Sequence, residues 1–265
     1  MPVIFYSTAD KASSTIACVL KENFGFAEKG HMDLGERQLP VFVSGETQLV
    51  EVDCPLYATD FLNVFFKSDL FVFACRHSSE SGKACYTVHA PGNWGSETLL
   101  GGNKSELQLT SARALDFLLE KLKGQSEMPV FREATHHGPT SLAVPTVFAE
   151  LGSSEKEWVQ TRLAEPVAEA IVDCCASWRS VSKSVALGFG GTHYGNAFES
   201  LPYAFSHIAS KHALESVDGG MVKQAIAKTA EKVDCAFLDW KGSKKEQRER
   251  LIAAFEANSL KWERA

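Results

Sequence analysis

The sequence predicts an α/β fold, a mostly parallel mixed sheet with helices on both faces. Short apolar runs alternate along its 265 residues with longer segments whose apolar residues recur at helical spacing. After its first residue the run at residues 69–75 is continuously apolar, as the buried strands of parallel sheets are. The alternation has no long linker, so we expect one domain over residues 1–265.

The individual elements follow from local signals. Runs rich in β-branched and aromatic residues predict strands at residues 2–7, 39–43, 48–52, 69–75, 84–89, 130–135, 146–151, 183–189 and 236–239. Helical spacing predicts helices at residues 8–23, 56–66, 110–123, 154–178, 221–232 and 243–258. Thr8 or Asp10 can cap the first helix, and Ser154 opens a capping box. Pro166 predicts a kink, or two abutting helices, within the fourth.

Composition narrows the class of protein. The net charge of −6 argues against a general nucleic-acid binder. No apolar run reaches the roughly 20 residues of a membrane span, and the N-terminus lacks the basic region of a signal peptide. Seven cysteines without a C-x-x-C pair favour reduced thiols over disulfides or a cysteine zinc site. We therefore expect a cytoplasmic protein without a membrane partner.

Most of the eight histidines follow apolar runs in short turn-like segments. The densest is His136-His137-Gly138-Pro139, which cannot continue a helix because proline lacks a donor and restricts the residue before it. Ligands of α/β proteins bind outside the carboxyl ends of the strands. If the strands are parallel, His77, His136, His137 and His193 meet at one edge of the sheet. The sequence thus predicts a histidine-rich site.

Two kinds of chemistry suit such a site. Imidazole is the commonest zinc ligand, and Glu150 or Glu133 can complete an open three-ligand site that activates water. In the alternative, one histidine is a general base without a metal. We expect zinc, with His136, His137, Glu150 and His193 as candidate ligands, although the spacing matches no standard zinc motif.

Two other features are candidate substrate contacts. Gly190 and Gly191 follow a predicted strand and can expose backbone N–H groups to an oxyanion, or form only a tight turn. Trp94 can stack on a base or pack in the interior. Residues 241–250 carry five basic and two acidic side chains. This segment is either a solvated helix start or a phosphate-contacting patch.

Taken together in order, five segments resemble the archaeal and plant type of D-aminoacyl-tRNA deacylase. They are Arg76-His-Ser-Ser-Glu-Ser-Gly82, Thr87-Val-His-Ala-Pro-Gly-Asn-Trp94, Ala134-Thr-His-His-Gly-Pro139, Gly188-Phe-Gly-Gly-Thr-His-Tyr194 and Leu238-Asp-Trp-Lys-Gly242. The resemblance covers essentially the whole chain. It implies hydrolysis of the ester between a D-amino acid and tRNA, zinc dependence, and a fold related to nucleoside phosphorylases and peptidyl-tRNA hydrolases.

With that resemblance, D-aminoacyl-tRNA is the expected partner of a monomeric enzyme. The candidate catalytic residues are His136, His137, Glu133 and His193. The candidate substrate-binding residues are Arg76, His77, His89, Asn93, Trp94, Gly190, Gly191, Lys241, Lys244 and Lys245. The alternatives are an enzyme like the nucleoside phosphorylases or hydrolases, and a tRNA-binding module without chemistry.

Overall fold

The computed structural model describes residues 1–35, 37–64, 66–98 and 100–265, with the side chains of residues 63 and 64 excluded. Within these residues the strands form an eight-stranded mixed sheet, a four-stranded parallel sheet and a two-stranded antiparallel pair. The α/β class and the mostly parallel pairing are confirmed. The strands that the sequence predicts in one sheet are, however, divided between the eight-stranded and the four-stranded sheets.

The strands of the described residues are, in chain order, β1 (Val3–Ser7), β2 (Ala27–Asp33), β3 (Gln38–Ser44), β4 (Thr47–Val52), β5 (Phe71–Arg76), β6 (Cys85–His89), β7 (Gly92–Asn93), β8 (Glu106–Leu107), β9 (Val130–Arg132), β10 (Thr146–Gly152), β11 (Val185–Phe189), β12 (Ala204–Ala209), β13 (Cys235–Leu238) and β14 (Trp262–Arg264). The large sheet has the order β2-β3-β4-β1-β5-β10-β6-β9, and the smaller sheet has the order β12-β11-β13-β14.

The α-helices of the described residues are α1 (Lys11–Asn23), α2 (Ala112–Gln125), α3 (Glu155–Trp158), α4 (Thr161–Ser177), α5 (Gly219–Ala227) and α6 (Lys245–Ala257). Asp10 caps α1 by accepting a hydrogen bond from Ser13, and Ser154 forms the predicted capping box with Glu157. Two abutting helices do not meet at Pro166, because the chain breaks between α3 and α4 and Pro166 lies inside α4, while the predicted kink at Pro166 stays a prediction. None of the helices in the described ranges combines the length and apolarity needed to cross a membrane.

The helix predicted at residues 56–66 is also wrong in kind. The structure has two short 3-10 segments there, Leu56–Ala58 and Asp60–Val64, and residue 65 lies outside the described residues. These segments lie over one face of the large sheet, where their apolar side chains join an aromatic core. Short 3-10 turns bury such side chains without the length that an α-helix needs.

The two faces of the large sheet have different covers. Side chains such as Val72 face α1, α2 and α4 in the largest apolar cluster. Phe73 and Phe148 project from the other face, beneath the 3-10 segments. Glu150 and His89 share the Phe148 side, since residues two apart on a strand point the same way and His89 is the partner of Phe148. The candidate site therefore continues the aromatic face of the sheet.

Strand direction corrects the expected route by which the histidines meet. β6 and β9 are parallel to each other but antiparallel to β5 and β10, so the carboxyl ends of β5 and β9 do not share an edge. β9 ends level with the middle of β10, at Arg132. Of the next residues, which were predicted as strand, Glu133 still donates to the Val88 carbonyl of β6. Ala134 donates to the His193 carbonyl, in the loop after β11, and Thr135 donates to the Ile208 carbonyl of β12. Residues 133–135 thus join the two sheets.

Candidate active site

Two buried carboxylates and a histidine form the centre of the candidate site. The His77 Nδ1 atom lies 3.4 Å from Glu133 Oε1 and 3.4 Å from Glu150 Oε2. The exposed fractions of these three side chains are 5% or less. Charges removed from water in this way need opposite charges close by. His77 lies between the two carboxylates and also lines a cavity, and its predicted role as a substrate contact stays a prediction.

Glu150 lies within β10 and not at its end, and all its contacts come from the large sheet. Its Oε2 accepts a hydrogen bond from Thr87 at 2.9 Å, while its Oε1 lies 3.3 Å from His89 Nε2. The His89 ring stacks on Phe148 with the centroids 4.8 Å apart. His89 is fully buried, so it orients Glu150 and does not present an exposed surface to substrate.

His136 and His137 are each held in place through the Nδ1 atom of the ring. The Nδ1 of His136 lies 2.8 Å from the Ala134 carbonyl, and that of His137 lies 2.7 Å from the Gly138 carbonyl. A carbonyl oxygen only accepts, so each Nδ1 carries the proton and each Nε2 keeps its lone pair. Second-shell bonds of this kind orient the histidine ligands of metals.

His193 reaches the same centre from the smaller sheet. It follows β11, and its Nε2 lies 2.9 Å from Glu133 Oε1. The His193 side chain is 46% exposed, whereas Glu133 is buried. The next residue, Tyr194, places its hydroxyl 3.2 Å from His77 Nε2. Tyr194 was missed as a site residue, although it ends the segment that carries His193.

The electrostatics of the cluster follow from burial and from its opposite charges. Burial lowers the pKa of His77, but its contacts with Cys85, Glu133 and Glu150 outweigh this and raise the pKa well above its usual value. Burial raises the pKa of Glu150, but His89 and His77 lower it to about 2. Glu133 likewise has a pKa well below its usual range despite burial, because of His193, His77 and His136. The two carboxylates are therefore ionised.

The histidine pair has the opposite electrostatics. Burial and the neighbouring imidazole of His89 lower the pKa of His137 to about 4. Burial, His89 and His137 lower the pKa of His136 well below its usual value. Both rings are therefore neutral at pH 7. A neutral imidazole with a free Nε2 can bind a metal or accept a proton.

Three overlapping groups bring three metal-binding atoms within 4.8 Å of one another among the described residues. They are His89–His136–His137, Glu133–His136–His193 and His77–Glu133–Glu150. The second fits a metal best. Both oxygens of Glu133 are buried without a hydrogen-bond partner of good geometry, despite the nearby imidazoles. The oxygens of Glu150, by contrast, are already engaged by Thr87, His77 and His89.

Two cavities meet at the histidines. The first encloses about 480 Å³ and is lined in part by Asp10, Tyr57 and Arg76. The second encloses about 560 Å³ and is lined in part by Asn93, Ser96 and His212. Both are lined by His136, His137, His193 and Leu100. A substrate group that lies where the two cavities meet would therefore contact the histidines of the cluster.

Three predicted substrate contacts have structural partners. Arg76 lines the first cavity, with its Nε 3.9 Å from Asp10 Oδ2. Asn93 donates hydrogen bonds to the carbonyls of Gly101 and Asn103. Trp94 is only 4% exposed and donates from Nε1 to the Ile208 carbonyl at 3.2 Å. The geometry of Trp94 favours interior packing over stacking on a base.

The glycine loop does not offer the oxyanion donors that the sequence suggests. The Gly190 N–H donates to the Ala209 carbonyl at 2.8 Å, and the Gly191 N–H donates to Asp239 Oδ2 at 3.0 Å. Both residues have positive φ, +107° and +75°. The alternative interpretation as a tight turn is therefore correct. The turn places His193, and the N–H groups of Gly190 and Gly191 are both occupied within the fold.

The basic segment is separate from the cluster. Lys241, Lys244 and Lys245 are exposed near the start of α6, and they lie outside the lining of both cavities as the described residues define it. Lys245 lies 3.8 Å from Glu249 one turn later, in the pairing of a solvated helix. The two interpretations of this segment, a solvated helix start or a phosphate patch, both stay open.

The chain forms two sheets joined by a short segment, and a buried histidine–carboxylate cluster lies where two cavities meet. This arrangement is typical of an α/β protein that binds a substrate at a polar centre. The chain belongs to the D-aminoacyl-tRNA deacylase family, whose model matches residues 64–263.

Individual relatives agree with this assignment. The chain is 36% identical to the D-aminoacyl-tRNA deacylase of Thermococcus onnurineus, covering 99% of each chain. It is 37% identical to that of Pyrococcus abyssi, covering 94% of each. A crystal structure described as a conserved protein of unknown function superimposes with a TM-score of 0.87 at 26% identity, covering all of this chain and 95% of the other. The family therefore rests on the sequence relatives, and the solved structure supports the fold.

Proposed function

We propose that this protein hydrolyses the ester bond between a D-amino acid and tRNA, in a zinc-dependent reaction at the histidine–carboxylate cluster. Membership of the deacylase family supports the substrate. The observation that carries the site is the unsatisfied, buried carboxylate of Glu133 beside two imidazoles where both cavities meet. A carboxylate in that state needs a cation or a donor.

Glu133, His136 and His193 would hold the zinc. One carboxylate and two histidines are a known ligand set of catalytic zinc sites, which keep a further position open. His136 offers its free Nε2, and His193 faces the cavities. In this proposal Glu133 takes the place that the sequence analysis gave to Glu150. When bound, zinc lowers the pKa of a water molecule to about 7 and polarises a carbonyl oxygen.

His137 is the proposed base. Because it is neutral at pH 7 and its Nδ1 proton is held by Gly138, its Nε2 can accept a proton from the attacking water. The water oxygen bonds to the ester carbonyl carbon, and the bond from that carbon to the ribose oxygen breaks. His137 then returns the proton to the ribose oxygen, which leaves as a hydroxyl group. The products are the free D-amino acid and tRNA.

Glu150, His77 and His89 position the reacting groups. His77 bridges Glu150 and Glu133, and the His89 ring lies 4.2 Å from that of His136, centroid to centroid. These contacts fix the ligand side chains before substrate arrives, so less ordering is needed during the reaction. An aminoacyl ester is a reactive bond, so positioning, a base and charge stabilisation are the main requirements.

Metal analysis and ester hydrolysis test the proposal together. We expect zinc in the purified protein and release of D-tyrosine, but not L-tyrosine, from charged tRNA. Chelation should abolish the release and added zinc should restore it. Glu133→Gln and His136→Ala should lose most of the zinc while keeping their circular dichroism. His31→Ala, which changes an exposed histidine on β2, is the matched control and should keep the full metal content.

Three outcomes would contradict the proposal. Full zinc content in both cluster variants, with zinc lost from Glu150→Gln instead, would return the carboxylate ligand to Glu150. Hydrolysis of D-tyrosyl-tRNA that is unaffected by chelation in a zinc-free protein would leave His137, or another histidine, as a base without a metal. Phosphorolysis of a free nucleoside by the unaltered protein would move it to a different class of enzyme.

A further inference from the structure

The two cavities differ in chemistry although they share their histidine wall. Ligand pockets commonly enclose about 300–1,000 Å³, so each cavity is large enough to hold a separate group. Leu100 lines both cavities, and the Gly138 N–H donates a hydrogen bond to the Leu100 carbonyl at 2.9 Å. The two spaces therefore lie on either side of the cluster and meet at it. A substrate cleaved at the cluster would place one of its halves in each cavity.

The first cavity has apolar walls and buried negative charge. Pro55, Leu56 and Tyr57 form one side of it. Asp10 and Glu150, both less than 10% exposed, contribute carboxylates. The apolar walls suit an amino-acid side chain, and the Asp10 carboxylate favours the α-ammonium group of an aminoacyl ester. The cavity also has basic groups: Arg76 lies beside Asp10, and His77 lies beside Glu150.

The second cavity is lined by small polar groups. Ser96, Ser210 and Ser216 bring hydroxyl groups, and His212 brings an exposed imidazole. Hydroxyl and imidazole groups donate and accept hydrogen bonds, as ribose hydroxyls, phosphate oxygens and base edges require. Glu97 is exposed there, so its charge is screened by solvent.

We infer that the first cavity binds the aminoacyl group and the second binds the 3′-terminal adenosine nucleotide of tRNA, with the ester carbonyl at the histidines between them. This inference rests on the proposed deacylase function and adds to it a binding site for each half of the substrate. Residues around the first cavity then set the choice of amino acid. Residues around the second set affinity for the tRNA end, whichever amino acid it carries.

Two exposed serines allow a matched test. Ser78 lines the first cavity and Ser96 the second, and both are solvent-exposed, so a tryptophan at either position fills the cavity without disturbing the core. The kcat/KM values for D-tyrosyl-tRNA and D-alanyl-tRNA are measured for Ser78→Trp and Ser96→Trp. Ser200→Trp, at an exposed serine outside the lining of both cavities, is the control and should match the unaltered enzyme. Inhibition by adenosine monophosphate is measured in parallel.

Ser78→Trp should lower kcat/KM for the bulky D-tyrosyl substrate about tenfold more than for the D-alanyl substrate, and should leave inhibition by adenosine monophosphate intact. Ser96→Trp should lower both values by a similar factor of about ten or more, through KM, and should abolish that inhibition. The reversed pattern would exchange the two cavities and overturn the assignment. No effect from either variant, or the same effect from both, would also overturn it.

Failure of the proposed function gives a different result. An unaltered protein that releases no D-amino acid from either tRNA would refute the deacylase activity itself. Binding of adenosine monophosphate, measured by calorimetry and lost only in Ser96→Trp, would in that case still support the nucleotide site. Activity on both tRNAs with the same preference in all variants would leave the deacylase standing and remove the two-cavity assignment.

Discussion

His207 gives the sharpest prediction about stability and pH. Its ring is fully buried, with Nδ1 3.3 Å from the Thr135 hydroxyl and Nε2 3.3 Å from the Lys228 carbonyl. Burial lowers its pKa to about 4, against about 6.5 in an unfolded chain. As pH falls below 6.5, the unfolded chain therefore binds a proton that the folded protein does not. This difference favours the folded state at high pH, and the advantage is lost as pH falls towards 4.

The magnitude follows from the two pKa values. Between pH 7.5 and pH 5.0, His207 should remove about 2 kcal/mol from the free energy of unfolding. His207→Gln keeps an amide donor for the Lys228 carbonyl, but glutamine does not titrate. The variant should therefore not show this loss of about 2 kcal/mol of unfolding free energy between the two pH values. Urea unfolding of both proteins at both pH values, with chelator present, isolates the difference.

The variant should be the less stable protein at pH 7.5, because the packing of the imidazole ring is lost. The gap in unfolding free energy between the two proteins should narrow by about 2 kcal/mol at pH 5.0. An equal gap at the two pH values would refute the assigned protonation of His207. A gap that widens at pH 5.0 would mean that the buried ring is charged.

Three further predictions concern residues whose roles the sequence left open. Gly191→Val should lower the melting temperature and kcat/KM, because a β-branched residue at φ +75° is strained by about 1–3 kcal/mol and the strain falls on the turn that carries His193. Lys241→Glu with Lys244→Glu should raise KM for tRNA, spare kcat and flatten the salt dependence if the segment contacts phosphates. Trp94→Phe should cost about 1 kcal/mol of unfolding free energy, through the lost hydrogen bond, and leave KM for tRNA unchanged.

Each of these has a control or a contrary result. Gly124→Val, at a helical glycine whose added Cβ would meet no atom, should not lower the melting temperature, because valine has a higher helix propensity than glycine. Charge reversal of Lys29, exposed on β2, is the control for the basic segment. An unchanged salt slope in the double variant would identify that segment as a solvated helix start. A raised KM in Trp94→Phe with unchanged stability would restore the stacking role of the indole.

Local signals in the sequence predicted local structure well. The caps at Asp10 and Ser154 are side-chain to backbone bonds within four residues, so neighbouring residue types determine them. The strand β12, in contrast, was missed. It contains Ser206 and His207, which are buried because Thr229, Thr135 and Lys228 satisfy them from distant parts of the chain. Such partners cannot be found from a window of sequence.

The site shows the same division. The histidine pair before Gly138-Pro139 was correctly expected on a turn, since proline forbids the helix. The route by which it meets His77 was wrong, because strand direction depends on how the whole chain is wound and leaves no local signal. The choice between Glu133 and Glu150 depends on which carboxylate already has partners, and only the folded structure shows that.

The contact between Glu133 and His193 joins segments from the two sheets, and it therefore depends on the position of one sheet relative to the other. Catalytic geometry is intolerant of error, and a displacement of about 1 Å can cost about a hundredfold in rate. A slight slide of one sheet across the other would separate these side chains while every strand kept its own hydrogen bonds. Activity should consequently disappear at denaturant concentrations that leave the far-ultraviolet circular dichroism unchanged. The rate of ester hydrolysis would then report the relative position of the two sheets at denaturant concentrations below those that unfold either sheet.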